Sequence, residues 1–483
     1  MRRAAFLHGG TVYAFNALSR PTGMSPRPLR IALDMQGNGL DPYRAYGADV
    51  DRYAWFFGDG LTFGQREPTA MLAEVPSVSA DGRTYRYTLR TVYWHDGTRL
   101  HARHVADALN TLRHAVSPWI TYQPYALVDD IRIRGSDVFD VRLHRRSGSF
   151  ARTFFSPYGK PALPLLRHDS ANIPIGTGPF RFVGEVGGRI RLDAFDGSPR
   201  GKPASRALDV HRVASATTLG MELASGEVDL ALPIVRGLPA ANRYRTVSRH
   251  AGTIALLFNC SATFRTPALR RAVLRAMDVD SMQRTIDPTT NVRVRGILPP
   301  GDPDDVPFPF PPHDPPRARD ELRGVQAEVT IAYLAESKRY AHLALLVAAD
   351  LDAAGLKTSI LARAQAVYEG PLGPFRTGGF DLAITGFPYT EMPDLIADWG
   401  CTAHPPNGGN YARFCDPLFD RIAQRRSLRE ALQVLEDDVP FIPLARNVES
   451  FGIGRYTTGF VVPPPFVPVA LGAHHWASRD GAA

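Results

Sequence analysis

Residues 79–105 decide the fold and have the sequence SADGRTYRYTLRTVYWHDGTRLHARHV. Two dipeptides in it, Asp81-Gly82 and Asp96-Gly97, are typical of tight turns, because glycine adopts positive φ without steric cost. After the first turn, Tyr85, Tyr87 and Leu89 alternate with polar residues, which is the pattern of a strand with one buried face. The stretch therefore predicts a hairpin with an apolar face.

Strand patterns also occur before and after this hairpin. Residues 29–33 predict a short apolar strand before it, and residues 84–90 predict the half-buried strand of the hairpin itself. Residues 131–133 and 138–143, joined through Gly135-Ser136-Asp137, predict a second hairpin.

The C-terminal half mixes helices with strands. Thr266-Pro267 provides an N-cap and a first helical residue in the preferred order. Residues 329–334, a helix over 340–353 and residues 356–361 predict a strand, helix, strand unit with parallel strands. Further elements are expected as a strand at 380–385, helices at 417–424 and 428–437, and a strand at 441–444. The proline-rich residues 299–316 predict a surface connection without regular structure.

Length and charge limit the classes of protein. A chain of 483 residues exceeds what one hydrophobic core organises, so two or more lobes are expected. The formal charge of +8 does not cluster, and all basic residues except four lysines are scattered arginines. Binding to nucleic acid is therefore not predicted.

Catalytic and metal-binding motifs are weak. The sequence has no Gly-x-Ser-x-Gly elbow, no His-Glu-x-x-His and no phosphate-binding loop, and no acidic pair is placed on one face of an element. His95, His101 and His104 are the most metal-like group, but no carboxylate or thiolate motif accompanies them. We interpret them as surface and capping histidines, and we predict neither an enzyme nor a cofactor.

The cysteines and the N-terminus leave alternatives open. Cys401 and Cys415 enclose a turn-rich segment that allows either a local disulfide or two free thiols. Residues 1–28 begin with Met-Arg-Arg but lack a convincing apolar core, so they fit a degenerate leader, a misassigned extension or a true N-terminus. The longest apolar run, residues 343–349, is too short to span a bilayer.

Separate segments together resemble the family 5 extracellular solute-binding proteins, the peptide- and nickel-binding components of ABC importers. The most specific is residues 79–105, which is similar to the family's hairpin followed by a helix. The other matches occur in the family's order: Leu40-Asp41-Pro42, Asp59-Gly60-Leu61, Met71 to Glu74, Gly176 to Phe180, Leu223 to Leu230, Phe258-Asn259 and Leu269 to Asp278.

The resemblance implies an α/β, two-lobed fold of the periplasmic-binding-protein type II class, with a hinge and a ligand cleft between the lobes. It places lobe I at 29–260, with an inserted subdomain at about 46–165, after an N-terminal extension at 1–28. Lobe II would span 261–440, and residues 441–483 would return to lobe I. The chain is expected to be a monomer.

The resemblance also implies a ligand site. In peptide-binding members an Asp before a disulfide-linked loop holds the ligand's ammonium group, and Asp394, with Glu391 as second choice, occupies that stretch. The pair Cys401 and Cys415 then corresponds to the family's disulfide. Arg339 lies near the position of an Arg that takes the ligand carboxylate. The remaining candidates for ligand contact are Tyr389, Trp399 and Asn259.

The function implied is capture of a peptide or another small polar solute for delivery to the permease subunits of an ABC importer. That role places the protein outside the cytoplasm, at the cell surface or in the periplasm. Two alternatives are an intracellular descendant that senses a metabolite and a cleft adapted for catalysis.

Overall fold

The computed structural model describes residues 5–8, 11–14, 27–33, 41–43, 53–64, 67–114, 124–158, 162–213, 216–234, 243–286, 294–298, 302, 304–335, 337–368, 372–388, 398–405, 408–425, 427–463 and 468–478. Its strands are β1 (Ala5–His8), β2 (Thr11–Ala14), β3 (Leu29–Leu33), β4 (Thr62–Phe63), β5 (Thr69–Ala70), β6 (Ser77–Val78), β7 (Thr84–Thr88), β8 (Val128–Ile133), β9 (Val138–Leu143), β10 (Arg167–His168), β11 (Pro174–Ile175), β12 (Phe180–Val186), β13 (Arg189–Ala194), β14 (Ala207–Arg212), β15 (Leu230–Ile234), β16 (Tyr244–Phe258), β17 (Glu328–Leu334), β18 (Lys357–Arg363), β19 (Leu382–Pro388), β20 (Phe441–Gly454), β21 (Thr457–Thr458) and β22 (Ala477–Ser478).

The α-helices are α1 (Ala102–His114), α2 (Phe150–Thr153), α3 (Ala216–Ser225), α4 (Pro267–Ala276), α5 (Val279–Ile286), α6 (Pro315–Leu322), α7 (Lys338–Ala353), α8 (Gln365–Tyr368), α9 (Pro374–Thr377), α10 (Pro417–Gln424) and α11 (Leu428–Asp438). Short 3-10 turns occupy Ala54–Phe56, Tyr125–Leu127 and Val469–His475.

The chain divides into two compact units. Unit 1 comprises Met1–Arg249 and Val448–Ala483, and unit 2 comprises His250–Asn447. Strands β16 and β20 carry the chain from one unit into the other. The crossings predicted near residues 260 and 440 lie at the unit 2 ends of the same two strands.

Unit 1 contains a sheet with the strand order β12–β13–β14–β3–β15–β20. The apolar run that predicts a strand at 29–33 is confirmed as β3, which pairs in parallel with both β14 and β15. Leu29, Ile31 and Leu33 of β3 are fully buried. A parallel strand of this kind is covered on both faces, which explains why its residues are apolar except for Arg30, which is paired with Asp229.

The hairpin predicted from Asp81-Gly82 is also confirmed in unit 1. Strands β6 and β7 pair antiparallel around this turn, where Gly82 has φ +68°. Strand β7 pairs on its other side with β9, and β9 pairs with β8 as the second predicted hairpin. Tyr85 and Tyr87 are buried, while Arg86 between them is exposed, as the alternating pattern predicts.

Unit 2 contains a sheet with the order β16–β19–β17–β18. The predicted strand, helix, strand unit is confirmed as β17, α7 and β18, with the two strands parallel. Gly355 ends the connection with φ +91°, a conformation that favours glycine. Strand β19 extends the sheet on the other side of β17, also in parallel.

The surface connection predicted for the proline-rich residues 299–316 is wrong in part. Val306 and Phe308 are buried in the core of unit 2, so this part of the segment is not a surface connection. Pro315 and Pro316 begin helix α6, and the N-cap Asp314 accepts a hydrogen bond from the amide of Arg317. Proline suits the first helical turn, because the N–H that it lacks has no acceptor there.

Candidate functional site

The carboxyl ends of three parallel strands meet at one edge of the unit 2 sheet. Leu334 of β17 is paired with Arg363 of β18, and β19 runs in the same direction to Pro388. Ligands of open parallel sheets bind outside the carboxyl ends of the strands. We call this part of unit 2 the carboxyl edge, and it is the candidate site.

Of the described candidates, Trp399 packs near this edge, whereas Asn259 follows the end of β16 that pairs with the amino end of β19 and so lies at the opposite end of the sheet. Tyr389, Glu391 and Asp394 follow β19 directly along the chain but lie outside the described residues. Arg339 is the second residue of α7, the helix that follows the carboxyl end of β17. Its side chain is half-buried.

Trp399 is a member of an aromatic cluster in unit 2. Only 3% of it is exposed, and its ring centroid lies 5.6 Å from Phe387 and 5.4 Å from Phe441. Phe387 belongs to β19 and Phe441 begins β20, so the indole ties the segment after residue 397 to two strands. This packing explains the burial of Trp399 without a ligand.

Asn259 follows the end of β16, and protein groups occupy both ends of its amide. The Nδ2 atom donates to the carbonyls of Gly378 and Phe380 at 3.0 and 2.9 Å. The Oδ1 atom accepts from the amide and the hydroxyl of Ser261. Asn259 thus fixes the turn after β16, and these hydrogen bonds account for a polar side chain that is only 2% exposed.

A loop closed by a disulfide between Cys401 and Cys415 follows Trp399. Its centre is Asn410, which is fully buried. The side-chain amide donates to the carbonyls of Trp399, Gly400 and Phe414, and its oxygen accepts from the amide of Phe414. The structure therefore selects the disulfide from the two alternatives that the sequence left open.

Sequence reasoning did not identify two residues that shape this region. Arg413 of the loop donates to the carbonyl of Arg376 at 2.9 Å and so connects the loop to α9. Tyr340 extends to β19, where its hydroxyl lies 2.7 Å from the position that a Cβ on Gly386 would occupy. The glycine at 386 was a visible indication of close approach, but the sequence does not show which residue approaches.

The polar motif residues of unit 1 hold chain segments together. Asp59 is fully buried and forms an ion pair with Arg200 at 2.7 Å. Its second oxygen accepts from the Thr177 hydroxyl at 2.8 Å. Arg200 also donates to the carbonyls of Trp55 and Gly58. Two of the motifs quoted above are thus joined through one carboxylate.

The histidines of unit 1 also contact backbone groups. His95 Nε2 lies 2.9 Å from the carbonyl oxygen of Gly178, and burial lowers the pKa of His95 to about 4. His104 Nδ1 accepts from the amide of His101 and from the Trp94 indole. Among the described residues, no group of three or more His, Cys, Asp or Glu side chains could hold a metal ion.

Within the described part of the chain, no helix has both the length and the apolar character needed to cross a membrane.

Comparison with known proteins gives consistent matches. A family model described as bacterial extracellular solute-binding proteins, family 5 Middle, matches residues 67–398. The chain is 25% identical over 452 residues to the peptide transport periplasmic protein SapA of Salmonella typhimurium, covering 81% of each. It is 26% identical over 457 residues to the probable di/tripeptide-binding protein 5 of Pseudomonas aeruginosa, covering 81% of this chain and 84% of that protein.

The fold is shared with a solved structure. The dipeptide-binding protein of Pseudoalteromonas sp. SM9913, in complex with Met-Leu, superposes with a TM-score of 0.76 at 17% identity. The superposition covers 94% of this chain and 100% of the dipeptide-binding protein. The predicted α/β fold of the two-lobed periplasmic binding proteins is thereby confirmed.

Proposed function

The chain belongs to the bacterial extracellular solute-binding proteins of family 5, and on that premise we propose that it captures a peptide for an ABC-type permease. The family match over residues 67–398 carries this proposal. The names of two relatives support a peptide rather than another polar solute, since one is a peptide transport protein and the other a probable di/tripeptide-binding protein.

The proposed role is binding and not catalysis. Asp59, His95 and Thr177 are polar residues of the sequence motifs, and each contacts groups of its own unit. These contacts give the motif residues a structural role, so no catalytic role is needed to explain why they are present.

We place the peptide's ammonium group at Asp394 and its carboxylate at Arg339. The chain before Asp394 is anchored by Pro388, which pairs with Gly252 of β16. The chain after it is anchored by Trp399 in the aromatic cluster. Arg339 lies in the first turn of α7, the helix that follows the carboxyl end of β17, and its guanidinium suits a carboxylate because it can donate two parallel hydrogen bonds. Glu391, Tyr389 and Trp399 remain proposed further contacts.

The proposed location is outside the cytoplasm. The disulfide between Cys401 and Cys415 supports it, because structural disulfides persist in oxidising compartments.

The ligand can be identified by native mass spectrometry of the protein purified from its own cells, followed by calorimetry with the identified peptide. We expect Asp394→Asn to raise the Kd by at least about thirtyfold, since breaking a buried charge pair costs about 2–5 kcal/mol or more and about 1.4 kcal/mol is tenfold. Asp320→Asn is the matched control, because Asp320 of α6 is exposed and its ion-pair partner Arg323, just after the helix, is exposed too.

A change in the peptide tests the proposed contact between its ammonium group and Asp394. Acetylating the peptide's N-terminal amine should weaken binding to the parent protein as much as Asp394→Asn does, and should add little to that substitution. If Asp394→Asn and Asp320→Asn bind the peptide equally well, the ammonium site is elsewhere. If no peptide binds to the parent protein, the proposed ligand class is wrong.

A further inference from the structure

Strand β19 extends further toward the carboxyl edge than its pairing with β17 does. The last pair between β17 and β19 in the described part of the chain joins Tyr333 to Ile384. Strand β19 then continues to Pro388, and β16 accompanies it over this length. Two tyrosines, one from each of the helices that follow β17 and β18, contact this last part of β19.

Each of these tyrosines contacts a different residue of β19. Tyr368 of α8 is buried, and its hydroxyl donates to the carbonyl of Ile384 at 3.1 Å. Tyr340 of α7 is half-buried, and its hydroxyl oxygen lies 2.7 Å from the point that a Cβ on Gly386 would occupy. The two contacts join both helices to one strand.

Gly386 is the residue that admits Tyr340. A real Cβ does not approach another heavy atom closer than 3.0 Å, so a larger residue at 386 would displace the tyrosine ring. Among the described residues, and apart from the adjoining chain, Tyr340 is the single group within 4 Å of that point. Glycine in a strand interior loses backbone entropy and side-chain packing on folding. The close approach of Tyr340 gives a reason for glycine at this position.

The position of Tyr340 determines that of Arg339, its neighbour in the first turn of α7. The N-cap Ser337 accepts from the amide of Tyr340 through its Oγ atom at 3.2 Å, and its own amide donates to the carbonyl of Leu334 at the end of β17. Arg339 therefore lies between a capped helix start and a side chain that contacts β19. A displacement of Tyr340 moves the backbone that carries Arg339.

We propose that Gly386 and Tyr340 are positioning residues for peptide binding: the glycine lets the first turn of α7 pack against β19, which holds the Arg339 guanidinium where it can bind a peptide carboxylate. This inference rests on the proposed function, in which Arg339 binds that carboxylate. Two parallel hydrogen bonds between a guanidinium and a carboxylate depend on both distance and angle. A small displacement of the turn therefore weakens them without unfolding unit 2.

Competition between free and amidated peptides tests the proposal. A synthetic tripeptide library and the same library with amidated C-termini are offered together, and mass spectrometry of the retained peptides gives the preference for a free carboxylate. We expect the parent protein to prefer the free acid about ten- to a hundredfold, the range for hydrogen bonds to a charged group. Gly386→Ala should reduce this preference to about threefold or less.

Tyr340→Phe supplies the rescue, because it removes the oxygen that a Cβ at 386 would meet. The double variant with Tyr340→Phe and Gly386→Ala should recover most of the preference. Gly324→Ala is the matched control, since Gly324 is exposed and a Cβ there would have no described heavy atom within 4 Å. It should behave like the parent protein. Urea denaturation of each variant separates a change in binding from a loss of folding.

Three results would overturn the positioning role. Gly386→Ala could keep the preference of the parent protein, or it could weaken the binding of both libraries equally, which would be a general disturbance of the site. The third is a double variant that recovers nothing, since the effect would then not act through Tyr340. Should Gly386→Ala not fold, Tyr340→Leu replaces it, because it removes the contact without crowding β19. An unchanged preference in Tyr340→Leu would exclude the role as well.

Failure of the proposed function gives a different pattern. If the parent protein retains neither library, the ligand is not a peptide and the inference fails with it. If Arg339→Gln prefers the free acid as strongly as the parent protein does, the carboxylate is bound elsewhere. A loss of preference in Arg339→Gln but not in Gly386→Ala would leave the carboxylate site in place and reject the positioning role alone.

Discussion

Asp59 shows how one residue of a motif can have a purely structural purpose. The carboxylate is fully buried, where an ionised group is costly unless it is paired and hydrogen-bonded. Arg200 and Thr177 supply these partners, and both come from other segments of unit 1. Burial is also the largest effect on Arg200 and lowers the pKa of its guanidinium. The pair therefore stabilises unit 1 only as long as both members are present.

We expect Asp59→Asn to lower the free energy of unfolding of unit 1 by about 3–5 kcal/mol, because Arg200 would remain buried without a countercharge. Urea denaturation measures the change. Asp196→Asn is the control, since Asp196 forms an ion pair with Lys202 in which both side chains are more than 60% exposed. That substitution should cost at most about 1 kcal/mol. Equal effects of the two substitutions would show that the Asp59 pair contributes nothing beyond a surface pair.

At this scale the sequence identified the motif residues but not their partners. The motifs containing Asp59 and Thr177 were recognisable as segments, whereas Arg200 lies in a turn-rich stretch with no distinguishing pattern. Partners that are distant in the chain meet only after folding, so spacing and periodicity carry no information about them.

The loop between Cys401 and Cys415 is stabilised in two independent ways, by the disulfide and by the hydrogen bonds of Asn410. The disulfide closes a loop with a sequence separation of 14, which corresponds to about 3 kcal/mol in the chain-entropy model. Inside the loop, Asn410 takes the place of regular secondary structure: its two amide hydrogens are shared among three carbonyls, and its oxygen accepts from one backbone amide. A buried polar group that loses its partner costs about 1–3 kcal/mol.

We therefore expect Asn410→Ala to destabilise unit 2 by more than reduction of the disulfide does. Urea denaturation with and without dithiothreitol compares the two, and Gln433→Ala at an exposed position of α11 serves as the control. Thiol titration of the oxidised protein should find one free thiol, Cys260, among three cysteines. If Asn410→Ala lowered the free energy of unfolding less than reduction does, the disulfide would be the main stabilising interaction of the loop.

Elements were predictable where their local pattern agrees with their burial. The N-cap at Thr266, with Pro267 after it, was correct, since the Thr266 hydroxyl accepts from the amide of Leu269. Strand β20 was predicted only at 441–444, but it continues to Gly454. Its later residues include Glu449, which is buried in an ion pair with Arg249 at 2.6 Å. A polar sequence can thus form a buried strand when its charges are paired across to another strand, which hydropathy cannot show.

At the scale of the whole molecule, the two units have separate cores. The large core of unit 1 extends from Leu29 to Leu232 and resumes from Phe451 to Trp476. The core of unit 2 lies entirely between Ile254 and Ala445. Unit 2 is continuous in sequence, whereas unit 1 is completed only by the C-terminal segment. The length of the chain predicted more than one core. The residues at which the chain passes from one unit to the other depend on tertiary contacts, which the sequence does not show.

Because its core and its sheet are local to one segment, we expect residues 250–447 to fold as an isolated fragment. The pairing of β16 with β19, from Gly252–Pro388 to Phe258–Leu382, lies wholly inside this fragment. Trp399 is its single tryptophan. The fragment should give a cooperative urea transition when Trp399 fluorescence is followed, with an emission maximum typical of a buried indole.

Two substitutions in α7 make this test specific. Leu343→Asp places a charge at a fully buried position and should abolish the transition, since an unpaired buried charge is among the most costly changes. Leu345→Asp changes a residue of the same helix that is 60% exposed and should leave the transition nearly unchanged. If the fragment has a solvent-exposed indole and responds to neither substitution, unit 2 requires unit 1 to fold, and the separate cores would not be separate folding units.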